Sequence, residues 1–283
     1  MQVMNSIPSI PSSLQNVAEL IGRKQEIVYD HIQPLCLDPA ADTDGMITTV
    51  PPPLPPRSFR RVLVFDTETT GLMPKRAFRN MPINEIELPH ITQLTYILYD
   101  IEQRCILQVF NSYVKLPDTV EIPELVTEIT GITTEKCEME GRDICDVLRA
   151  FYAAYESADC VVAHNITFDT EMLHLECTRH SNKLIGECPN IMKMLYLCDK
   201  MRECTMQLTT AFCNLYKTNV RGRPYLKMPK LVELHEKLFG TIPANLHNSL
   251  VDTLVCLRCY LKFRWSIEIE DYDALVESLV LIH

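Results

Sequence analysis

The sequence is short of several things at once. Nowhere in its 283 residues is there an apolar run of about 18 or more, the length a membrane-spanning helix needs. The amino terminus, MQVMNSIPSIPSS, has neither the basic start nor the apolar core of a secretory signal. The expected location is therefore intracellular, cytoplasmic or nuclear, and not secreted. Among the twelve cysteines only Cys256 and Cys259 form a C-x-x-C, and no second pair completes a zinc site. That pair falls in an apolar run at helical spacing, so all the cysteines read as reduced thiols, this pair as core thiols. A positive excess is missing too. The formal net charge of -10 argues against a protein that coats nucleic acid generally.

Local charge tells more than the average. From Asp118 to Asp146 acidic residues dominate, opposed only by Lys136 and Arg142, and this stretch should face solvent away from any phosphate. From Lys217 to Lys230 the sign reverses. Lys217, Arg221, Arg223, Lys227 and Lys230 occur with no acid between them, beside Tyr216 and Tyr225. Cations interleaved with aromatics suit a single strand, the charges following its backbone and the rings stacking on its bases. Lys75, Arg76 and Arg79 form a second basic group.

The chain divides into residues 1–56, a proline-rich extension and linker; 57–265, the main domain; and 266–283, an acidic-apolar tail expected to pack on that domain. The first part holds half of the 18 prolines, and a short helix is expected within it around Gln15 to His31. Pro51-Pro52-Pro53-Leu54-Pro55-Pro56-Arg57 reads as an extended polyproline segment whose P-x-x-P-x-R pattern also fits a ligand for proline-binding domains. The main domain reads as alternating strands and helices. Strands are expected at Arg61 to Asp66, Ile91 to Asp100, Cys105 to Lys115 and Cys160 to Ala163. Helices are expected at Ile122 to Thr130, Asp143 to Tyr155, Phe168 to Arg179, Leu231 to Phe239 and Ser249 to Phe263. The short connections between the first three strands favour antiparallel pairing. The pattern predicts an α/β class with a mixed central sheet of about five strands flanked by helices.

Four carboxylates stand out against this frame. Asp66 and Glu68 lie two apart at the end of a buried strand, so both point to one side of the sheet. Like charges held that close are costly unless a cation sits between them. Asp169 follows the strand ending at Ala163 and reads as the start of a helix, where an Asp also has a structural job as a cap. Asp252 sits on the third or fourth position of an apolar helix start, where a carboxylate needs a partner and a metal is a good one. His247, five residues earlier, falls in the preceding loop, with Asn248 or Ser249 as cap. A loop histidine is free to reach water, and histidine as a residue type, with a reference pKa of about 6.5, suits general-base work near neutrality.

These segments resemble the three motifs of the DEDDh group within the DnaQ-like 3'-to-5' exonucleases of the ribonuclease H-like fold. The first is Phe65-Asp66-Thr67-Glu68-Thr69-Thr70-Gly71-Leu72, the second His164-Asn165-Ile166-Thr167-Phe168-Asp169, and the third His247 with Asp252. Glu128-Ile129-Thr130-Gly131-Ile132-Thr133 is similar to the family's helix-ending "HGI" segment, with Thr130 where a histidine is usual. The likeness runs from about Arg60 to Phe263. It implies that Asp66, Glu68, Asp169 and Asp252 hold two Mg²⁺ or Mn²⁺ ions about 4 Å apart. It implies that His247 takes the proton of the attacking water and that the products are nucleoside 5'-monophosphates. Thr67, Gly71 and Leu72 are then expected near the terminal nucleotide, with Asn165 supporting the site; Lys217, Arg221 and Arg223, from their charge pattern, are expected on the strand. DNA is the expected substrate, from single-stranded or frayed 3' ends. RNA, or a proofreading role docked on a polymerase through the extensions, is the alternative. An inactive binding module would show a lost carboxylate or histidine, and none is lost.

Overall fold

In the computed structural model the described residues are 60–74, 88–191, 200–243 and 246–282. The expectations for residues 1–56 and for Lys75, Arg76 and Arg79 lie outside them. Strand β1 (Arg61–Thr69) is the axis of the molecule. Val62, Leu63, Val64 and Phe65 are all buried, so both of its faces are covered, as a continuous apolar run demands. β2 (Ile91–Asp100) and β3 (Cys105–Tyr113) follow as an antiparallel meander, then β4 (Cys160–Ala163) and β5 (Met201–Cys204) add in parallel on the other side. The order β3-β2-β1-β4-β5 is a mixed five-stranded sheet, as the sequence predicts.

Helices cover the two faces. Between β3 and β4 lie α1 (Glu124–Thr130), α2 (Thr134–Glu140) and α3 (Ile144–Ser157); α4 (Ile166–Arg179) and α5 (Ser181–Glu187) follow β4. After β5 come the short α6 (Thr205–Leu208) and α7 (Thr210–Cys213), then a hairpin of β6 (Tyr216–Thr218) and β7 (Pro224–Leu226). The chain continues through α8 (Leu231–Phe239), α9 (Ser249–Trp265) and α10 (Tyr272–Ile282). Leu63 and Phe65 point into a core built with α3 and α4, where Phe65 meets Phe151 edge-on with centroids 5.1 Å apart. Val62 and Val64 point the other way, into a core built with Leu254, Leu257 and Leu261 of α9 and with Leu275 and Leu279 of α10. The alternation along β1 thus assigns each later residue of the strand to a known helical layer.

Several ends are set by single residues. Gly131 (φ 71°) and Gly240 (φ 72°) close α1 and α8 in the left-handed region that favours glycine. Thr130 closes its own turn, donating to the Val126 carbonyl and accepting from the Ile132 N–H. Three expectations need correction. The helix carrying Asp169 begins at Ile166, not at Phe168, so Asp169 lies in its first turn rather than at its cap. The basic segment beginning at Lys217, where no strand is expected, is part of an antiparallel hairpin; its strands are only three residues each, too short to show alternation. β3 stops at Tyr113, two residues short. The described cysteines are free thiols, with Cys256 and Cys259 buried on α9. No described helix is long and apolar enough to cross a membrane.

Candidate active site

The site forms at the carboxyl end of β1. Even-numbered positions of this strand face α9, so Asp66 and Glu68 extend the side that buries Val62 and Val64. α9 brings Asp252 to them. Asn248 caps the helix, its side chain accepting from the Leu250 N–H at 3.0 Å, and Asp252 is the fourth residue of the helix. One oxygen of each of Asp66, Glu68 and Asp252 lies within 4.8 Å of the others, and the three groups are half-buried.

The helix is held in this register by a residue that motif reading passed over. Ser249 donates its hydroxyl to the Asp66 carbonyl at 2.8 Å, and its N–H reaches Gln93 Oε1 on β2 at 3.3 Å. Gln93, fully buried opposite Glu68, donates in turn to Asn111 Oδ1 on β3. A glutamine inside the buried run Ile91–Asp100 is the sequence signal that could have exposed this network.

Asp169 arrives from the opposite layer. Thr67, an odd-numbered residue, faces α4, and both its N–H (3.0 Å) and its hydroxyl (2.9 Å) donate to Asp169 Oδ1. Asp169 therefore approaches β1 from the other face and is not among the three mutually closest carboxylates, although its charge is felt by Asp66 and Glu68. Asn165 (φ 69°) makes the turn into α4 and is exposed, with no side-chain capping bond. His247 (φ 70°) occupies the equivalent left-handed turn before α9, exposed, and its N–H donates to Asp252 Oδ2 at 3.1 Å.

The electrostatics are those of an uncompensated acid cluster. Loss of water, then the neighbouring Asp169, Asp252 and Glu68, hold the Asp66 carboxyl well above its usual range. Burial, then the charges of Asp252 and Asp169, push Glu68 up to about 8. Burial lifts Asp252 to about 7, against the bond from His247 N–H. Asp169 also rises to about 7 on burial, although the bonds from Thr67 favour its charged form. Among the described residues no lysine or arginine pairs with any of the four, so the repulsion is opposed there by hydrogen bonds alone. A divalent cation fits that deficit: oxygen ligands, clustered charge and half-open burial match its chemistry.

The remaining candidates lie on the turn after β1 and on the β6–β7 hairpin. Leu72 is 82% exposed, and a side chain at Gly71 would meet open space, so that glycine is not required by packing. Thr69 Oγ1 donates to the Gly71 carbonyl at 2.7 Å and fixes the turn. Lys217, Arg221 and Arg223 are exposed on the hairpin and form no ion pair among the described residues. Lys227 differs, because Glu233 of α8 folds back to pair with it.

An open α/β sheet with a convergent carboxylate centre at its strand ends is the architecture of a metal-dependent enzyme site. More particularly, the chain belongs to the Exonuclease family (RNase_T), whose model matches residues 63–260. No curated protein is matched by the sequence. Among solved structures, one of exonuclease I is 19% identical, covers 77% of this chain and 43% of that chain, and has a TM-score of 0.50. Escherichia coli exonuclease I in complex with a dA16 oligonucleotide is 18% identical over the same shares, with a TM-score of 0.48. The zinc-bound form of an E. coli exonuclease I–ssDNA complex is 19% identical, again over 77% and 43%, with a TM-score of 0.49. The chain thus spans less than half the length of these relatives, and at such identity the likeness is one of fold.

Proposed function

We propose that the protein is a 3'-to-5' exonuclease of DEDDh type that hydrolyses single-stranded or frayed ends, DNA in preference to RNA, to nucleoside 5'-monophosphates. The observation that carries this reading is the convergence of Asp66, Glu68 and Asp252, paired with no lysine or arginine among the described residues, in a member of an exonuclease family. Asp66, Glu68, Asp169 and Asp252 would hold two Mg²⁺ or Mn²⁺ ions. Bound there, such ions supply an activated water and charge stabilisation for the phosphate and its leaving oxygen.

The chain's own groups do the rest. Thr67 holds Asp169 in place through two hydrogen bonds, which keeps that carboxylate oriented before substrate arrives. His247 occupies a solvent-facing turn whose N–H already fixes it to Asp252. From there its imidazole accepts the proton of the attacking water. Leu72 offers an apolar edge to the terminal base, with Thr67, Gly71 and Asn165 around the terminal nucleotide. Lys217, Arg221 and Arg223 take the phosphates of the strand behind it, and Tyr216 and Tyr225, both exposed, offer rings for stacking. The acidic segment from Asp118 to Asp146 repels the backbone elsewhere, so an acidic protein still binds a polyanion locally.

The test uses matched 5'-labelled DNA and RNA strands, single and duplex, with Mg²⁺, with EDTA, and with Asp66→Ala. Stepwise shortening from the 3' end, abolished by EDTA and by the substitution, is expected, faster on DNA. Equal degradation in EDTA would overturn the metal mechanism. Faster loss of RNA would reverse the assignment of the strand.

A further inference from the structure

His164 opens the second motif, yet its side chain serves none of the carboxylates. It lies at the end of β4, at the same sheet edge as the acidic end of β1, and reaches away from it. Nε2 lies 3.1 Å from the Pro229 carbonyl and Nδ1 lies 2.9 Å from Thr205 Oγ1. A carbonyl can only accept, so Nε2 carries the proton. Nδ1 must then accept, and Thr205 donates to it. Burial depresses the imidazole to about 4, which keeps this neutral, one-proton form across the physiological range.

Pro229 closes the segment that returns from the β6–β7 hairpin. That hairpin is a separate two-stranded sheet, hydrogen-bonded to no strand of the main one. An isolated pair of three-residue strands does not fix its own position. Its base is tied to α8 by the Lys227–Glu233 pair, and Lys227 N–H bonds the Leu215 carbonyl at 2.7 Å. Those anchors set the hairpin against α8, not against the carboxylates. The bond from His164 to Pro229, three residues beyond β7 and directly before the Lys230 cap of α8, ties the return segment of the hairpin to the end of the strand that leads into the second motif. At the far end, Val220 is fully exposed, and Asn219 Oδ1 accepts from the N–H groups of Arg221 and Arg223, presenting two cations on one ordered turn.

We infer that His164 is a positioning residue, a latch that holds the basic hairpin in line with the carboxylate cluster so that a strand engaged at its 3' end is also gripped upstream. This rests on the nuclease reading but adds to it that the grip on strand length is set by a buried histidine outside the chemistry. His164→Ala releases the Pro229 carbonyl; His164→Gln retains a donor at the Nε2 position and should restore most of the effect.

The experiment measures binding of a labelled 20-nucleotide single strand and of a dinucleotide in EDTA over a salt series, and KM and kcat with Mg²⁺ on both. Each single-strand phosphate contact contributes about 0.7 to the slope of log affinity against log salt. Loss of the three hairpin cations should therefore flatten the slope for His164→Ala by about 2 and raise the 20-mer KM about tenfold. The dinucleotide KM, and kcat on both strands, should stay within about twofold, because on this proposal the hairpin grips only the strand upstream of the terminal nucleotides. A loss of affinity with unchanged slope, or equal loss on both lengths, would reduce His164 to a structural residue and overturn the latch, as would no change. Should the wild type bind the 20-mer but cut nothing, the nuclease reading falls, and the slope alone decides the latch. If it binds no strand, both fall.

Discussion

Two helices deliver an aspartate to the same strand end from opposite layers, and they do so differently. Asp169 and Asp252 are each the fourth residue of their helix, and each helix is preceded by a left-handed residue, Asn165 or His247. Asp169 is 3% exposed and takes two hydrogen bonds from Thr67. Asp252 is half-buried, and its described hydrogen bond is the single one from His247 N–H. The first carboxylate is organised by the protein itself. The second, with Asp66 and Glu68, is left with a mutual repulsion that a bound cation would relieve. Preorganisation and unsatisfied charge are thus divided between the two faces of β1.

Breaking the unsatisfied side should cost most. Asp252→Ala is expected to reduce exonuclease turnover about a thousandfold or more, since several kcal/mol of charge stabilisation depend on the ion it helps to hold. Steady-state assays with Mg²⁺ read this directly, and near-normal turnover would remove Asp252 from the centre. Next comes the turn before it. His247→Asn keeps a residue that tolerates positive φ, and with it the N–H bond to Asp252, while deleting the imidazole. Turnover should fall about a hundredfold or more with metal affinity unchanged, and a parallel loss of metal binding would show that His247 acts through Asp252.

The organised side should respond less. Thr67→Val removes the hydroxyl bond to Asp169 but leaves the N–H bond, a loss of about 1.5–3 kcal/mol for a bond to a charged group. Turnover should drop by roughly one to two orders of magnitude, and full activity would show that the N–H alone orients Asp169. The smallest effect belongs to Ser249→Ala, which frees the end of α9 from the Asp66 carbonyl at about 1 kcal/mol. A melting point about 2–4 °C lower would register it. An unchanged melting point would mean that the apolar stripe of α9 sets the register unaided.

How much of this was legible in the sequence follows the same division. Asp66 and Glu68 could be placed because period two is unambiguous at the end of an apolar run. α9 could be placed because Asn248 is a strong cap directly before its leucines. Asp169 was misplaced because Thr167, Phe168 and Asp169 look like a helix start. The true start follows Asn165; asparagine tolerates the left-handed region, but nothing local says that this one adopts it. The partnering of Asp169 with Thr67 spans 102 residues and belongs to the sheet, as does the Ser249–Gln93 contact. β5 and α5 escaped notice because Met201-Arg202-Glu203-Cys204 is a short edge strand with exposed residues at its start, and Ser181–Glu187 buries only Leu184. Glu233, which neutralises Lys227, is likewise invisible to a count made along the chain between Lys217 and Lys230.

On the proposed reading, the carboxylate cluster is a metal centre held together against its own charge. Its folded pKa values are raised, so between the unfolded carboxylate range near pH 4 and the folded values near 7 to 8 the native state holds the extra protons. Stability conferred by protonation is therefore full at low pH and is lost as pH rises through that window. Melting temperature from pH 5 to pH 9, in EDTA and in millimolar Mg²⁺ or Mn²⁺, tests this directly. The account predicts a melting point that falls with pH in EDTA, is restored by the metal most strongly at pH 8 and above, and is flattened by Asp252→Asn. Identical profiles with and without metal, unchanged by that substitution, would contradict it.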